Sequence, residues 1–434
     1  MVKVFHLSDI HLGSGFSHGR INPETGLNTR FEDFVRTLSY CIDRALAESV
    51  DLVLFGGDAF PDATPVPYIQ QAFAQQFQRL VAAGIPTVLL VGNHDQHSQG
   101  AGGASLCIYR TLGVPGVIVG DTLATHRMQT QQGSVQVITL PWLNRSTLMT
   151  KAETEGMSMA AVGEVLLDRL KLALEGEIRQ LDPTLPTILL AHVMTDNARF
   201  GAEQFLAVGK GFTVPLSLLI RDCFDYVALG HVHKHQILHD CPPIVYPGSI
   251  ERVDFSEELE EKGFVLANVT RRSAIVEFCP VPARPFRTIA VDLCDSPDPA
   301  ADLLQAIADC EIQDAVVRVL YRLYPEQTDA IVDRELHAAL VSSHSYTLQA
   351  EIHQPVVRSR LPELGVGNSL GPLDALQAYL NNREDLQDLR PHLLEAAERL
   401  LDGEPSPLPL SPSSSTILPQ SNSTSEDNIQ LRLL

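Results

Sequence analysis

Eight residues with metal-ligand chemistry stand at the ends of apolar runs: Asp9, His11, Asp58, Asn93, His94, His192, His231 and His233. They occur in the order Ser8-Asp9-Ile10-His11, Gly56-Gly57-Asp58, Gly92-Asn93-His94-Asp95, Ala191-His192 and Gly230-His231-Val232-His233. Asp9 and His11 are two apart, so both reach one ion if the strand period continues past the apolar run. The same spacing places the imidazoles of His231 and His233 on one side. Carboxylate, amide and imidazole donors without thiolate suit manganese, iron or zinc, and argue against a purely structural zinc. The set exceeds what one ion needs. Two ions roughly 3.5 to 4 Å apart, bridged by a carboxylate, account for the surplus and would clamp the attacking and leaving oxygens of a phosphoester. A histidine left over beside them would protonate the leaving oxygen or stabilise the phosphorane.

These residues need a scaffold that brings strand ends together. Leu52-Val53-Leu54-Phe55 reads as a strand buried on both faces, and the two glycines after it let the chain turn and present Asp58 at its C-terminal edge. Residues 2 to 7, 87 to 91, 187 to 191 and 225 to 229 repeat the pattern. Between the first three strands lie two amphipathic helices. One carries Phe31, Phe34, Val35, Leu38, Ile42, Ala45 and Leu46, with Thr29 and Glu32 at capping-box spacing. The other carries Ile69, Phe73, Phe77, Leu80 and Val81, and ends near Gly84. The β-α-β-α-β order predicts a parallel sheet, with its chemistry at the C-terminal strand ends.

Other stretches read as structure. Trp142 is expected to pack, residues 158 to 180 to form a long helix, and His235 and His239 to lie on the surface. The charged run from Glu257 to Lys262 reads as a solvated turn. Past residue 285 the pattern starts afresh: strand-like 287 to 293, 315 to 321 and 345 to 353 alternate with helix-like 299 to 309 and 328 to 341. Two short amphipathic helices follow, Leu373 to Leu380 and Leu393 to Leu401, with Pro372 and Pro391 near their starts. From Glu404 on, Ser and Pro dominate, which predicts a disordered tail.

At 434 residues the chain calls for two or three domains. Its 44% hydrophobic content is ordinary, and no apolar run nears the roughly 20 residues of a membrane span. The start MVKVFHLSDIHLG enters a strand directly without a secretory pattern, so a cytoplasmic location is expected. The seven cysteines are scattered with no C-x-x-C pair, as suits reduced thiols. The net charge of −21, from 32 basic and 53 acidic residues, repels nucleic acid unless metal ions, local arginines or a basic partner supply positive charge.

D-x-H, G-D, G-N-H-D, a lone strand-end His and G-H-x-H, in this order over residues 1 to 235, resemble the calcineurin-like metallophosphoesterase superfamily. The resemblance implies an α/β fold, a four-layer sandwich of two central sheets flanked by helices. It implies that Asp9, His11, Asp58 and His233 hold one ion, and that Asp58, Asn93, His192 and His231 hold the other, with Asp58 as the bridge. His94 would be the catalytic histidine and Asp95 its orienting partner.

The start MVKVFHLSDIHLG, the loop GDAFPDATP and YPGSIERVDFSEELEEKGF, with the downstream α+β unit and paired helices, resemble the SbcD-type nuclease subunits of SbcC/SbcD DNA-repair complexes. That likeness implies a phosphoesterase (nuclease) domain over 1–283, an α+β capping domain over 284–360, a helical segment over 361–402 that docks on the SbcC ATPase, and a tail over 403–434. It implies two divalent ions, most simply Mn2+, DNA as substrate, and room for a homodimer through the nuclease domain. One position departs from it: where many relatives carry a His three residues after the bridging Asp, this chain has Pro61, which cannot transfer a proton. Three readings stay open: a DNA exonuclease and endonuclease, a phosphoesterase of small molecules or phosphoproteins, and a scaffold that does not cut.

Overall fold

The computed structural model describes residues 1–97, 103–143, 157–199, 213–353, 372–381 and 383–401. Its strands begin with β1 (Val2–Leu7), β2 (Leu52–Phe55), β3 (Thr87–Leu90), β4 (Val117–Gly120), β5 (Ala124–Thr130) and β6 (Gly133–Leu140). They continue with β7 (Thr187–His192), β8 (Met194–Thr195), β9 (Thr213–Val214), β10 (Tyr226–Gly230), β11 (Gln236–Asp240) and β12 (Pro243–Tyr246). The last are β13 (Gly263–Thr270), β14 (Ser273–Pro280), β15 (Phe286–Asp292), β16 (Val316–Leu323) and β17 (Ser345–Ile352). The helices are α1 (Thr29–Ala47), α2 (Pro67–Ala82), α3 (Cys107–Thr111), α4 (Met159–Ile178), α5 (Leu216–Leu219), α6 (Pro299–Ala308), α7 (Asp333–Ala339), α8 (Pro372–Asn381) and α9 (Arg390–Leu401).

Two six-stranded sheets carry the chain's first 280 residues, in the orders β14-β13-β1-β2-β3-β4 and β11-β12-β10-β7-β6-β5. Strands β1 to β4 run parallel, as the β-α-β-α-β pattern predicts, and β13 closes the sheet antiparallel to β1. In the second sheet β12, β10, β7 and β6 are parallel, with antiparallel edges.

Strand alternation explains the layers. Val2 and Val4 of β1, with Leu52, Leu54, Val88 and Leu90, pack against Val137, Ile188, Leu190 and Ala228 of the other sheet. Phe5, Leu7, Val53 and Phe55 point the other way, onto Phe34, Leu38, Phe73 and Phe77 of α1 and α2. Helices α4 and α5 cover the second sheet's outer face through Leu170, Leu174 and Leu219. The result is a helix-sheet-sheet-helix sandwich, each buried Leu or Phe contributing about 1.5–3 kcal/mol.

Helix α1 corrects one local expectation. Asn28, not Thr29, is the cap, its side chain accepting from Arg30 N at 2.9 Å. Glu32 instead accepts from Asn22 and Thr25 and so pins the preceding loop.

Strands β15, β16 and β17 form a separate all-parallel sheet whose core, including Val317, Val319, Leu303 and Leu336, is closed by α6 and α7. Met1–Gln354 forms one compact unit and Pro355–Leu434 a second. In the second, α8 and α9 match the two predicted helices, and the tail expected to be disordered lies outside the described residues. Among the described residues, no helix is long and apolar enough to cross a membrane.

Candidate metal centre

Parallel pairing aligns the strand ends before any side chain is considered. Leu7 of β1 stands opposite Phe55 of β2, and Gly230 of β10 opposite His192 of β7. The two stacked sheets then turn their polar ends toward each other.

The strand period does not continue into the motifs. Beyond Leu7 the backbone is left-handed at Asp9 (φ 53°) and His11 (φ 46°), and the same holds for Asp58 (φ 58°) and His231 (φ 105°). Such conformations are costly for residues with a Cβ and concentrate where the surroundings over-determine them. Here Asp9 N donates to Gly57 O at 2.9 Å and His11 N to Asp58 O at 3.0 Å, so the D-x-H turn is bonded to the G-D turn. His231 N donates to both oxygens of Asp9, at 3.0 and 3.1 Å. Asp9 and His11 therefore converge through turns, and His231 and His233 part to opposite ends of the cluster.

Ligand atoms gather in three groups: Asp9, His11 and His233; His11, Asp58 and His94; Asp58, His192 and His231. Asp58 lies between them, its Oδ2 3.3 Å from His192 Nε2 and 3.8 Å from His11 Nε2. Asn93 joins the third group, with Oδ1 3.0 Å from His192 Nε2 and 2.9 Å from His231 Nδ1. Gly57 and Gly92 leave room for this approach: a Cβ on Gly57 would meet His192 Nδ1 at 2.5 Å, and one on Gly92 would meet Asp58 Oδ1 at 2.1 Å.

The donors fit a pair of cations. His11 Nε2 and His233 Nε2 face each other at 3.0 Å, and His231 Nε2 is buried without a hydrogen-bond partner. An orphaned buried polar atom costs about 1–3 kcal/mol, which a cation would relieve. Burial pushes the His231 imidazole down to about 3 and holds His11 well below its ordinary value, so both are neutral donors. Burial also opposes charge on His192, but Asp58 outweighs it and pushes His192 up to about 9. Burial alone would raise Asp58, yet His192, His94 and His11 hold it well below the usual carboxylate range.

His94 and Asp95 do not form the predicted pair. Asp95 Oδ2 accepts from the backbone N–H of Asp58 (2.8 Å) and Gly92 (2.9 Å), and Oδ1 from that of Ala59 (3.0 Å). It clamps two strand ends together, and the neighbouring ring bonds elsewhere. Burial and the Asp58 charge push its carboxyl up to about 7, against the Gly92 and Ala59 N–H groups and the His192 charge. His94 Nδ1 instead donates to the Pro61 carbonyl at 2.8 Å, which leaves Nε2 as the nitrogen available for proton transfer. Proline at 61 thus contributes a backbone oxygen to the histidine.

Several neighbours escaped the sequence reading. Ser8 Oγ donates to Asp9 Oδ2 at 2.5 Å, and His192 Nδ1 donates to the Gly56 carbonyl at 2.7 Å. Trp142 packs as expected, but on candidate ligands: its ring lies 4.8 Å from that of His231 and 6.0 Å from that of His192. The charged run is not a solvated turn throughout, because Glu257 and Lys262 are buried and Glu257 Oε1 accepts from His233 Nδ1 at 2.7 Å. His235 is half-buried, bonded to the Tyr246 carbonyl and stacked on Phe278.

Comparison with known families decides the class, since residues 2–235 match the calcineurin-like phosphoesterase family. The chain belongs to that family. The matched region carries every candidate ligand described above and ends two residues past His233. Among curated relatives, the DNA double-strand break repair protein Mre11 of Aeropyrum pernix is 28% identical over 309 residues, covering 68% of this chain and 64% of that protein. The chain thus spans a little under two thirds of that relative's length. Among solved structures, TT1561 of Thermus thermophilus is 17% identical with a TM-score of 0.36, covering 64% of this chain and 98% of that one. A dimetal phosphatase from Danio rerio is 13% identical with a TM-score of 0.34, covering 63% and 98%.

Proposed function

We propose that this phosphoesterase is a manganese-dependent DNA nuclease, a 3'-5' exonuclease and single-strand endonuclease that works with an SbcC-type coiled-coil ATPase on double-strand breaks and hairpins. The observation that carries the reading is the extent of the likeness to the Mre11 repair protein. It covers 68% of the chain, whereas the phosphoesterase match stops at residue 235, so it takes in chain beyond the metal-site motifs.

In this reading Asp9, His11, Asp58 and His233 hold one ion, and Asp58, Asn93, His192 and His231 the other. Two divalent ions held there would activate a water and stabilise charge on the phosphoester oxygens. Asp58 keeps both ligand groups in register through its contacts to His11 and His192. His94, fixed by the Pro61 carbonyl, handles the proton of the leaving oxygen at Nε2. The chain divides into the nuclease domain over 1–283, a capping domain over 284–360 and an ATPase-docking segment over 361–402. The docking role is supported by exposed Leu393, Leu400 and Leu401 on α9.

The net charge of −21 favours a second reading, a phosphoesterase of small molecules or phosphoproteins. Both are tested with Mn2+ on linear duplex, single-stranded DNA and p-nitrophenyl phosphate esters, with and without the ATPase partner. The nuclease reading expects DNA cleavage that falls by roughly 10²–10⁴-fold in His94→Ala. Ester turnover without any DNA cleavage, even with the ATPase present, would establish the second.

A further inference from the structure

The run Glu257-Glu258-Leu259-Glu260-Glu261-Lys262 is turned against its own hydropathy. Leu259 is 94% exposed, while Glu257 and Lys262 are 3% and 2% exposed. Burying such a pair gains little over an apolar pair of the same volume, so stability alone does not account for it.

Its contacts do. Lys262 Nζ donates to Glu257 Oε2 at 2.6 Å, to Ser249 Oγ at 2.8 Å and to Glu260 Oε2 at 2.8 Å. Glu257 is left to accept from His233 Nδ1 with its other oxygen at 2.7 Å. That bond fixes which ring nitrogen carries the proton and turns Nε2 toward His11. The other end of the centre is built differently, since His192 is oriented by the Gly56 carbonyl, which no side-chain substitution removes.

Glu257 also closes a short 3-10 turn, Phe255–Glu257, that the three-stranded unit grips. The Phe255 ring lies 4.9 Å from Phe286 of β15, and the Arg318 guanidinium of β16 sits over it at 4.4 Å. Thr288 N donates to Glu258 Oε1 at 2.9 Å. Arg252 ties the same turn to the chain entering β15, donating to Glu257 O at 3.2 Å and to Arg284 O at 3.0 Å.

We propose that Glu257, held by Lys262, is a positioning residue for His233, and that it makes the Asp9/His11/His233 ion position, but not the Asn93/His192/His231 position, depend on the turn gripped by the three-stranded unit. The proposal rests on the two-ion reading of the site.

The test is titration of the metal-free full chain with Mn2+, reading free ion by electron paramagnetic resonance, beside a thermal unfolding scan. The parent should take up two ions. Glu257→Gln and Lys262→Met should each weaken one ion by roughly 10–100-fold and leave the other within about twofold. Phe255→Leu, which keeps the carboxylate but loosens the grip, should weaken the same ion by less, and Lys262→Arg should restore it. Two unchanged ions in Glu257→Gln would overturn the proposal while leaving the two-ion site intact. Equal weakening of both, or loss of the thermal transition, would assign the pair to folding and overturn it as well. A parent that binds fewer than two ions would instead overturn the two-ion reading.

Discussion

The stacked sheets and the three-stranded sheet are both built from parallel strands with crossover helices, yet they end differently. At the C-terminal ends of β1, β2, β7 and β10 stand Asp9, Asp58, His192 and His231, buried and converging. At the ends of β15 and β16, Asp292 and Arg322 form an exposed ion pair at 3.4 Å that Glu351 joins. Among the described residues, no metal-ligand group lies in the three-stranded unit. The difference lies in what faces those ends and excludes water. In the sandwich the facing sheet does this. The contrast also shows in the backbone: four candidate ligand positions in the sandwich are left-handed, whereas in the three-stranded unit only Asp314, ahead of β16, is so among the described non-glycine residues.

The largest expected effect lies on Asp58, the carboxylate proposed as the bridge. Asp58→Ala should lower phosphoester turnover by at least roughly a thousandfold, about 4 kcal/mol in barrier, with loss of bound Mn2+, while Asp292→Ala leaves both unchanged. Turnover retained in Asp58→Ala would break the comparison at its centre. Next comes the apolar side. Leu303, fully buried on α6, should cost about 2–5 kcal/mol when changed to alanine, read by urea unfolding, with metal content unaltered. Metal loss in that variant would show that the two regions are not separable.

The smallest effect sharpens the contrast between a polar and an apolar interior. His6 of β1 lies between the stacked sheets, bonded to Tyr226 Oη at 2.8 Å and to the Leu229 carbonyl at 3.1 Å, and burial pushes it down to about 3. Its folded value is below its unfolded value. As pH falls below about 6.5 the unfolded chain takes up a proton that the folded chain refuses, and stability declines at up to about 1.4 kcal/mol per pH unit. His6→Gln should lower the slope between pH 6 and 5 in denaturant titrations by up to that amount, with the buried His11 and His231 supplying the rest. An unchanged slope would show that His6 is not held neutral.

Much of the site was legible because buried parallel strands leave continuous apolar runs, and polar residues directly after them stand out. Asp9, Asp58, Asn93, His192 and His233 could be placed at strand ends from that signal alone. Roles depending on which atoms face which were not legible. Asp95 looks like a partner for His94 by adjacency, but consecutive residues point apart, and its oxygens accept from the amides of Asp58, Ala59 and Gly92. The cap of α1 was misplaced by one residue because Asn28, Thr29 and Glu32 offer overlapping capping patterns, and the loop decides between them.

By itself the sequence determined the parallel β-α-β-α-β start, the apolar faces of α1 and α2, and the donor chemistry of the strand ends, since periodicity and residue type are local properties. Tertiary structure alone decided that His233 meets His11 across 222 positions, and that Glu257 is drawn from a charged run to bond its ring. Local sequence cannot carry such pairings: a carboxylate is stable in water or against a buried imidazole, and only the packing of the sheets and the three-stranded unit removes the water.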